Sequence, residues 1–436
     1  MKFYALGNPR DSATFREAVE RGLAKNGSLY FPTRIPKLSR PQLESLVDAT
    51  PSEVAYVLLS AWLGDELAEA NLRSIIAQAC TFEVPVVQVG PKEVLEVFHG
   101  PTAAFKDVAA RYLAAFMGFY GAENGHTSIV LVATSGDTGG AIAQGFAGIP
   151  DTHVVVLFPR GRVSQLQREQ LTRVAANITS LEVEGSFDDC QDLVKRALND
   201  PSLSQLHLTT ANSISIGRLL PQITYYVTGS LAAGGLHRPL RFVVPSGNLG
   251  NLTAGTLARA MGAPITSFLA ANNANNLLHR YLQSPEAGTR PVQATFANAM
   301  DVGRPGNLPR LAQVFGDHHS QLTAAVTGAT ITDAEIIATI QKVWTEHHYL
   351  LDPHTAVAWA ASDAHPAAAA TDVIVATAAP QKFASEIEAL CGIPVDNTQL
   401  LQQLQHIPVR FQAMPNSYQA LLDVLASVSP HAPSTL

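Results

Sequence analysis

The stretch Ser128-Ile129-Val130-Leu131-Val132-Ala133-Thr134-Ser135-Gly136-Asp137-Thr138-Gly139-Gly140 decides the fold class. Its short apolar run Ile129–Ala133 is a strand, the Ser/Thr/Gly segment after it is a turn, and helical spacing follows over Gly139–Phe146. The pattern repeats outward: strand Val154–Phe158, helix Val163–Ala175, strand Ile178–Glu184, helix Phe187–Leu198. In the last helix Phe187, Cys190, Val194, Ala197 and Leu198 share one face, with Asp188, Asp189, Gln191, Asp192 and Lys195 away from it. Upstream, Val86–Val89 and Val94–Phe98 are apolar runs that pair as strands. Downstream, Phe242–Pro245, Gly250–Met261, Ile265–Ala270, Thr355–Ala364, Val373–Ala376 and Lys382–Leu390 continue the alternation. Such alternation predicts α/β architecture, with two open parallel-sheet domains covered by helices on both faces.

The expected boundaries are a mainly helical N-terminal unit over 1–80, a large α/β domain over 81–125 and 231–425, and a small one over 126–230. Helices Thr14–Leu23 and Ser52–Leu67 fill the first unit, separated by Pro32, Pro36 and Pro41. Residues 277–328, rich in Pro, Gly and Asn with weak periodicity, read as a surface insertion, and the Pro/Ser-rich tail Ser427–Leu436 as frayed.

Composition excludes several classes of function. The 436 residues are 47% hydrophobic with mean hydropathy +0.10, enough for the cores of two to four domains at roughly 100–200 residues each. Lys+Arg 29 against Asp+Glu 36 gives a net charge of −7, and only 15% of residues are charged, so no basic stripe is available for nucleic acid or an anionic membrane. The richest apolar runs, Ser128–Ala133 and Val154–Phe158, are too short to span a bilayer, and the opening MKFYALGNPRDSATF lacks the apolar core of a signal peptide. Cys80, Cys190 and Cys391 are odd in number and far apart, which fits a reducing, cytoplasmic setting rather than a disulfide or zinc framework. The pairs His318-His319 and His347-His348 lack an i, i+4 companion, so no metal is expected.

Three segments carry chemistry. In His99-Gly100-Pro101-Thr102-Ala103-Ala104-Phe105-Lys106-Asp107, a turn and a capping hydroxyl precede a helix so apolar from Ala103 to Tyr120 that it must be buried. Lys106 in its first turns has two readings: an amine that snorkels to water, or a desolvated nucleophile suited to a Schiff base with an aldehyde. The turns Thr134–Gly139 and Ser246-Gly247-Asn248-Leu249-Gly250-Asn251 each join a strand to a helix and present amides and hydroxyls to an anion. Two such turns and one buried lysine suggest a phosphorylated aldehyde cofactor, pyridoxal 5′-phosphate (PLP), beside an anionic substrate.

On these residues the chain resembles the threonine synthases, PLP enzymes of the tryptophan-synthase-β-like fold (PLP fold type II). Gly27-Ser28-Leu29-Tyr30-Phe31-Pro32, Phe98–Asp107, Thr134–Gly139, Ser246–Gly250, Asn298-Ala299-Met300-Asp301-Val302-Gly303 and Asp352-Pro353-His354-Thr355-Ala356-Val357 match that family's landmarks in order. The resemblance implies a lyase that converts O-phospho-L-homoserine and water to L-threonine and phosphate by γ-elimination and β-addition. The alternative is a related PLP phospho-lyase or dehydratase acting on another amino acid. It implies Lys106 as the Schiff-base lysine and catalytic base; Gly247, Asn248, Leu249, Gly250 and Asn251 at the cofactor phosphate; Thr377 at the pyridine nitrogen; and Asp137 at the ring 3-oxygen. Thr134, Ser135, Thr138, Asn212, Ser213 and Arg218 would bind substrate, Arg218 and Asn212 gripping its phosphate. The chain departs from the family at Leu249 for Phe, Asn251 for Asp and Ala379 for His.

Overall fold

The structure is a computed structural model and describes residues 1–428. By internal contacts the chain divides into two units. The first comprises Met1–Phe31, Ala109–Arg218 and the segment from Thr398 on; the second comprises Pro32–Val108 and Leu219–Asn397.

The first unit is built on a five-stranded, wholly parallel sheet in the order Gln412–Pro415, Ile178–Glu184, Thr152–Pro159, Ser128–Ala133, Leu208–Thr210. Val130 pairs with Val154, and Val154 with Ile178, so the central strands present buried side chains on both faces. Helices follow where the S/T-x-x-E/Q/D signature starts them: Ser164 and Ser186 form capping boxes with Gln167 and Asp189. Cys190, Val194, Leu421 and Leu425 pack with Leu131, Val155 and Leu181 in one core.

The second unit holds a six-stranded sheet ordered Val326–Thr330, Ser267–Asn272, Leu240–Pro245, Thr371–Ala376, Lys92–Glu96, Val86–Val89. All pairs are parallel except the last: Val86–Val89 and Lys92–Glu96 pair as expected, but antiparallel, which the parallel-sheet expectation did not include. One core joins Val94, Val243, Leu269 and Ile374 to Ile336, Ile340, Val357 and Trp359 of the covering helices.

Three expectations change. Residues 1–80 carry the expected helices together with a small antiparallel sheet of Asn8–Ala13, Phe3–Ala5 and Tyr30–Pro32, and by contacts they are shared between the two units after Phe31. The other divisions fall after Val108 and Arg218, and Thr398 onward groups with the first unit because Gln412–Pro415 extends its sheet. Of residues 277–328, 284–294 are the expected surface excursion, mostly exposed and without helix or strand; the others are not. They contain helices Leu277–Gln283, Leu308–Val314 and His319–Ala325, lead into a sheet strand, and bury Asn307 and Arg310 completely. Buried polar side chains of this kind erase the apolar periodicity that marks packed segments. The expected fraying of Ser427–Leu436 concerns residues that lie, after 428, outside those described.

Candidate active site

In the second unit the strand Lys92–Glu96 leads into the lysine turn. Asp107 is 1% exposed and is the turn's anchor: the Thr102 hydroxyl donates to Oδ1 at 2.6 Å and the Thr102 amide to Oδ2 at 2.8 Å. Burial pushes the Asp107 carboxyl up, against the opposing effects of Thr102 and the Lys382 ammonium. A Cβ on Gly100 would lie 2.5 Å from the Asp107 Cβ, so only glycine lets the turn close. Ala103 sits in the left-handed region at φ 55°, and the helix begins at Lys106, not at Ala103. The cap is therefore inverted relative to expectation, with the threonine hydroxyl serving a carboxylate five residues on.

Lys106 is the first residue of the helix Lys106–Asn124 and only half-buried, its Nζ 5.0 Å from the centroid of the Phe105 ring. The body of that helix is buried as expected, yet burial does not extend to the lysine itself. The lysine in the interior is Lys382, 1% exposed, whose Nζ donates to the Thr102 carbonyl at 2.8 Å. Sequence reasoning missed it because Pro380-Gln381-Lys382-Phe383 reads as an ordinary helix start.

Thr377 is brought to this turn. The Phe105 amide donates to the Thr377 carbonyl at 2.8 Å and the Ala379 amide to the Ala103 carbonyl at 3.0 Å, so Ala379 acts through its backbone. The Thr377 amide donates to Thr355 Oγ1, whose hydroxyl donates to Asp352. Asp352 also accepts from His354 Nδ1 at 2.8 Å, which leaves Nε2 to accept the Ala299 amide at 3.1 Å. The Asp352–Thr355 motif thus ties Thr377 to Asn298–Met300.

The second turn joins strand Leu240–Pro245 to helix Gly250–Met261. Leu249 takes a left-handed conformation at φ 63°, and no side chain caps the helix, whose first-turn amides have no acceptor within it. A Cβ on Gly247 would lie 2.9 Å from the Met300 Cα, so the turn packs backbone against backbone. Asn251 is 6% exposed; its Oδ1 accepts the hydroxyls of Tyr225 and Tyr226, each at 2.7 Å, while its buried Nδ2 has no partner. A surplus amide donor at an uncapped helix head suits a phosphate dianion.

In the first unit the turn Thr134–Thr138 is arranged differently. Thr134 Oγ1 accepts the amides of Gly136 and Gly139, both at 2.9 Å, and Asp137 opens the helix Asp137–Gly145 at 3% exposure. Gln167 Nε2 donates to Asp137 Oδ1 at 2.8 Å while its Oε1 takes the Ser164 amide at 2.9 Å. Gln167 was legible only as a capping residue. Ser135 and Thr138 are half-buried beside them. Asn212 Nδ2 donates to the Ala133 carbonyl at 2.9 Å, which fastens the half-buried segment Asn212–Ser213 to the strand end. Arg218 is 2% exposed, and its Nη1 donates to the Ala211 carbonyl at 2.9 Å. Thr134, Asp137 and Asn212 thus converge at one strand end, and Gly247–Asn251 with Thr377 and the lysine turn belong to the other unit.

A family model for pyridoxal-phosphate dependent enzymes matches residues 94–378, and one for the threonine synthase N terminus matches residues 6–80. The chain is 36% identical over 424 residues to the threonine synthase of Haemophilus influenzae, covering 97% of this chain and 98% of that one. The chain belongs to the threonine synthase family. The crystal structure of threonine synthase from Escherichia coli is similar with a TM-score of 0.92 at 35% identity, over 98% of this chain and 100% of that one. A PLP-bound threonine synthase from Brucella melitensis matches with a TM-score of 0.92 at 34% identity, over 99% and 100%. As a member of the threonine synthase family the protein is a PLP-dependent lyase, and its fold is the α/β, parallel-sheet fold expected from the sequence. Among the described residues no helix is long and apolar enough to cross a membrane.

Proposed function

We propose that this chain converts O-phospho-L-homoserine and water to L-threonine and phosphate, as a fold type II enzyme of the cytoplasm. The observation that carries the reading is end-to-end similarity to threonine synthases, with the lysine turn and the uncapped phosphate turn both inside the matched region 94–378. PLP, when bound, supplies the electron sink for negative charge at the substrate's α and β carbons. Gly247, Asn248, Leu249, Gly250 and Asn251 hold its phosphate with main-chain amides and the Asn251 Nδ2. Lys106 carries the cofactor, and its amine moves protons at the α and β carbons; Asp107, held by Thr102 and Lys382, fixes the turn from which it projects. Thr377 presents a hydroxyl, not a carboxylate, to the pyridine nitrogen, and Asp137, oriented by Gln167, faces the ring 3-oxygen. Thr134, Ser135, Thr138 and Ser213 bind the amino acid, while Asn212 and the buried Arg218 grip the substrate phosphate and Arg218 stabilises it as it departs.

The test is to mix the purified protein with O-phospho-L-homoserine and measure phosphate and threonine together. Equal release of both is expected. Phosphate accompanied by ammonia and a 2-oxo acid would favour the phospho-lyase alternative, and no phosphate release would refute the substrate.

A further inference from the structure

Behind the Ser246–Asn251 turn stands a layer that the sequence assigned to a surface insertion. The Asn248 carbonyl accepts both the Asn307 amide, at 3.3 Å, and Asn307 Nδ2, at 3.1 Å, and Asn248 Oδ1 accepts the Gly306 amide. Asn307 Oδ1 in turn accepts Arg310 Nη1 at 3.1 Å. Asn307 and Arg310 are both fully buried, and the helix Leu308–Val314, which carries Arg310 and follows Asn307 at its N-cap, packs on Gly250–Met261, the helix that the turn opens. Every hydrogen bond in this series donates toward Asn248. The guanidinium polarises the Asn307 amide, and the amide polarises the Asn248 peptide, whose carbonyl is turned back toward the interior.

A buried guanidinium is expensive, and burial pushes Arg310 down to about 9, which leaves it cationic at neutral pH. A permanent cation two hydrogen bonds behind a phosphate-binding turn offsets part of the charge of a dianion, in surroundings where water screens little. We propose that Arg310 is a positioning residue for the cofactor phosphate: through Asn307 it fixes the Asn248 peptide and places a fixed positive charge behind the dianion. The proposal rests on the reading that Gly247–Asn251 holds that phosphate.

The experiment strips PLP from the holoenzyme and titrates the apoenzyme with PLP and with pyridoxal, which lacks the phosphate, following visible absorbance. Arg310→Met should bind PLP roughly ten- to a hundredfold more weakly while pyridoxal binding stays within about twofold, the effect of losing a hydrogen bond from a charged group. Arg310→Lys should recover part of the loss, because the charge survives and the planar fork does not. Asn307→Ala, which keeps the guanidinium and cuts the link, should lose the same preference and serves if Arg310→Met does not fold. Equal weakening of PLP and pyridoxal, or no weakening, overturns the proposal, since a merely structural arginine has no reason to discriminate between them. Gly247→Ala tests the underlying reading separately, because its methyl must displace the turn from Met300. If that variant keeps the full preference for PLP, the turn does not hold the phosphate. If it loses the preference while Arg310→Met and Asn307→Ala keep it, the turn reading stands and the role of Arg310 fails.

Discussion

The turns Thr134–Thr138 and Ser246–Asn251 look alike in sequence, each a Ser/Gly-rich link from a strand to a helix, and they are built in opposite ways. In the first, a side chain of the turn consumes its amides: Thr134 Oγ1 takes two of them and a carboxylate, Asp137, opens the helix. In the second, side chains outside the turn consume its acceptors, with Asn307 on the Asn248 carbonyl and two tyrosine hydroxyls on Asn251 Oδ1, so that donors are left over. A turn that satisfies its own donors and begins with a carboxylate is a shaped polar wall for a substrate or a ring oxygen. One that retains donors at a helix head is a receptor for a dianion. The glycine count distinguishes neither.

The largest effects test the chemistry to which the two turns belong. Lys106→Ala should lower turnover by roughly a thousandfold or more. Borohydride reduction and peptide mapping should place the pyridoxyl group on Lys106, and finding it on the buried Lys382 would reverse the assignment. Next in size, Arg218→Ala should cost about 2–4 kcal/mol of transition-state stabilisation in kcat/KM while PLP occupancy is unchanged, with Arg218→Lys recovering part. Loss of PLP on dialysis in Arg218→Ala, with normal turnover in excess cofactor, would move this arginine to the cofactor phosphate. Circular dichroism and Tm establish that each variant is folded.

The contrast between the turns is sharpened by a matched pair. Thr134→Val strands two buried amides and should lower stability by about 2–4 kcal/mol. Asn251→Ala removes a donor that no protein group uses together with the acceptor of two buried tyrosine hydroxyls, so apoenzyme stability should also fall by about 2–4 kcal/mol, and PLP affinity should drop roughly tenfold where Thr134→Val leaves it unchanged. Thermal melts of both apoenzymes and PLP titrations of both decide the matter. If Asn251→Ala leaves PLP affinity alone, the two turns are structural equivalents after all.

Much of this was legible in the sequence, for identifiable reasons. Buried parallel strands and amphipathic helices announce themselves by apolar runs and spacing, and Phe187–Leu198 and Gly250–Met261 are helices with the boundaries expected. The motif segments fold as strand-turn-helix junctions, since Gly and Ser at strand ends have few alternatives. What escaped was buried polarity. Lys382, Asn307, Arg310 and Gln167 are all within 1% of full burial, and nothing in their local sequence separates them from surface residues, because the partners of Lys382, Asn307 and Gln167 are distant in the chain. The same blindness extended the excursion at 284–294 over the packed parts of residues 277–328 and gave Lys106 a burial that belongs to Lys382.

The smallest effect concerns the carboxylate behind the second turn. Asp301 follows Met300, which backs Gly247, and accepts the Thr295 hydroxyl at 2.7 Å, the Thr295 amide at 3.0 Å and the side-chain amides of Asn273 and Asn275 at 2.8 and 2.9 Å. Burial outweighs these bonds and pushes the carboxyl up to about 6. For an acid whose pKa is raised on folding, the contribution to stability is fully present below the unfolded value, about 3.9, and is lost as pH rises through about 6. Asp301→Asn cannot ionise, so whatever constant offset the substitution brings, the Tm gap between variant and wild type should move in favour of the variant by on the order of 2 °C between pH 5 and pH 7.5. Asp137, by contrast, stands at a helix N-terminus, where its Oδ1 accepts Gln167 Nε2. If the gap for Asp301→Asn moves the other way, Asp301 is a stabilised anion, and the second turn is backed by negative charge where the first is fronted by a carboxylate.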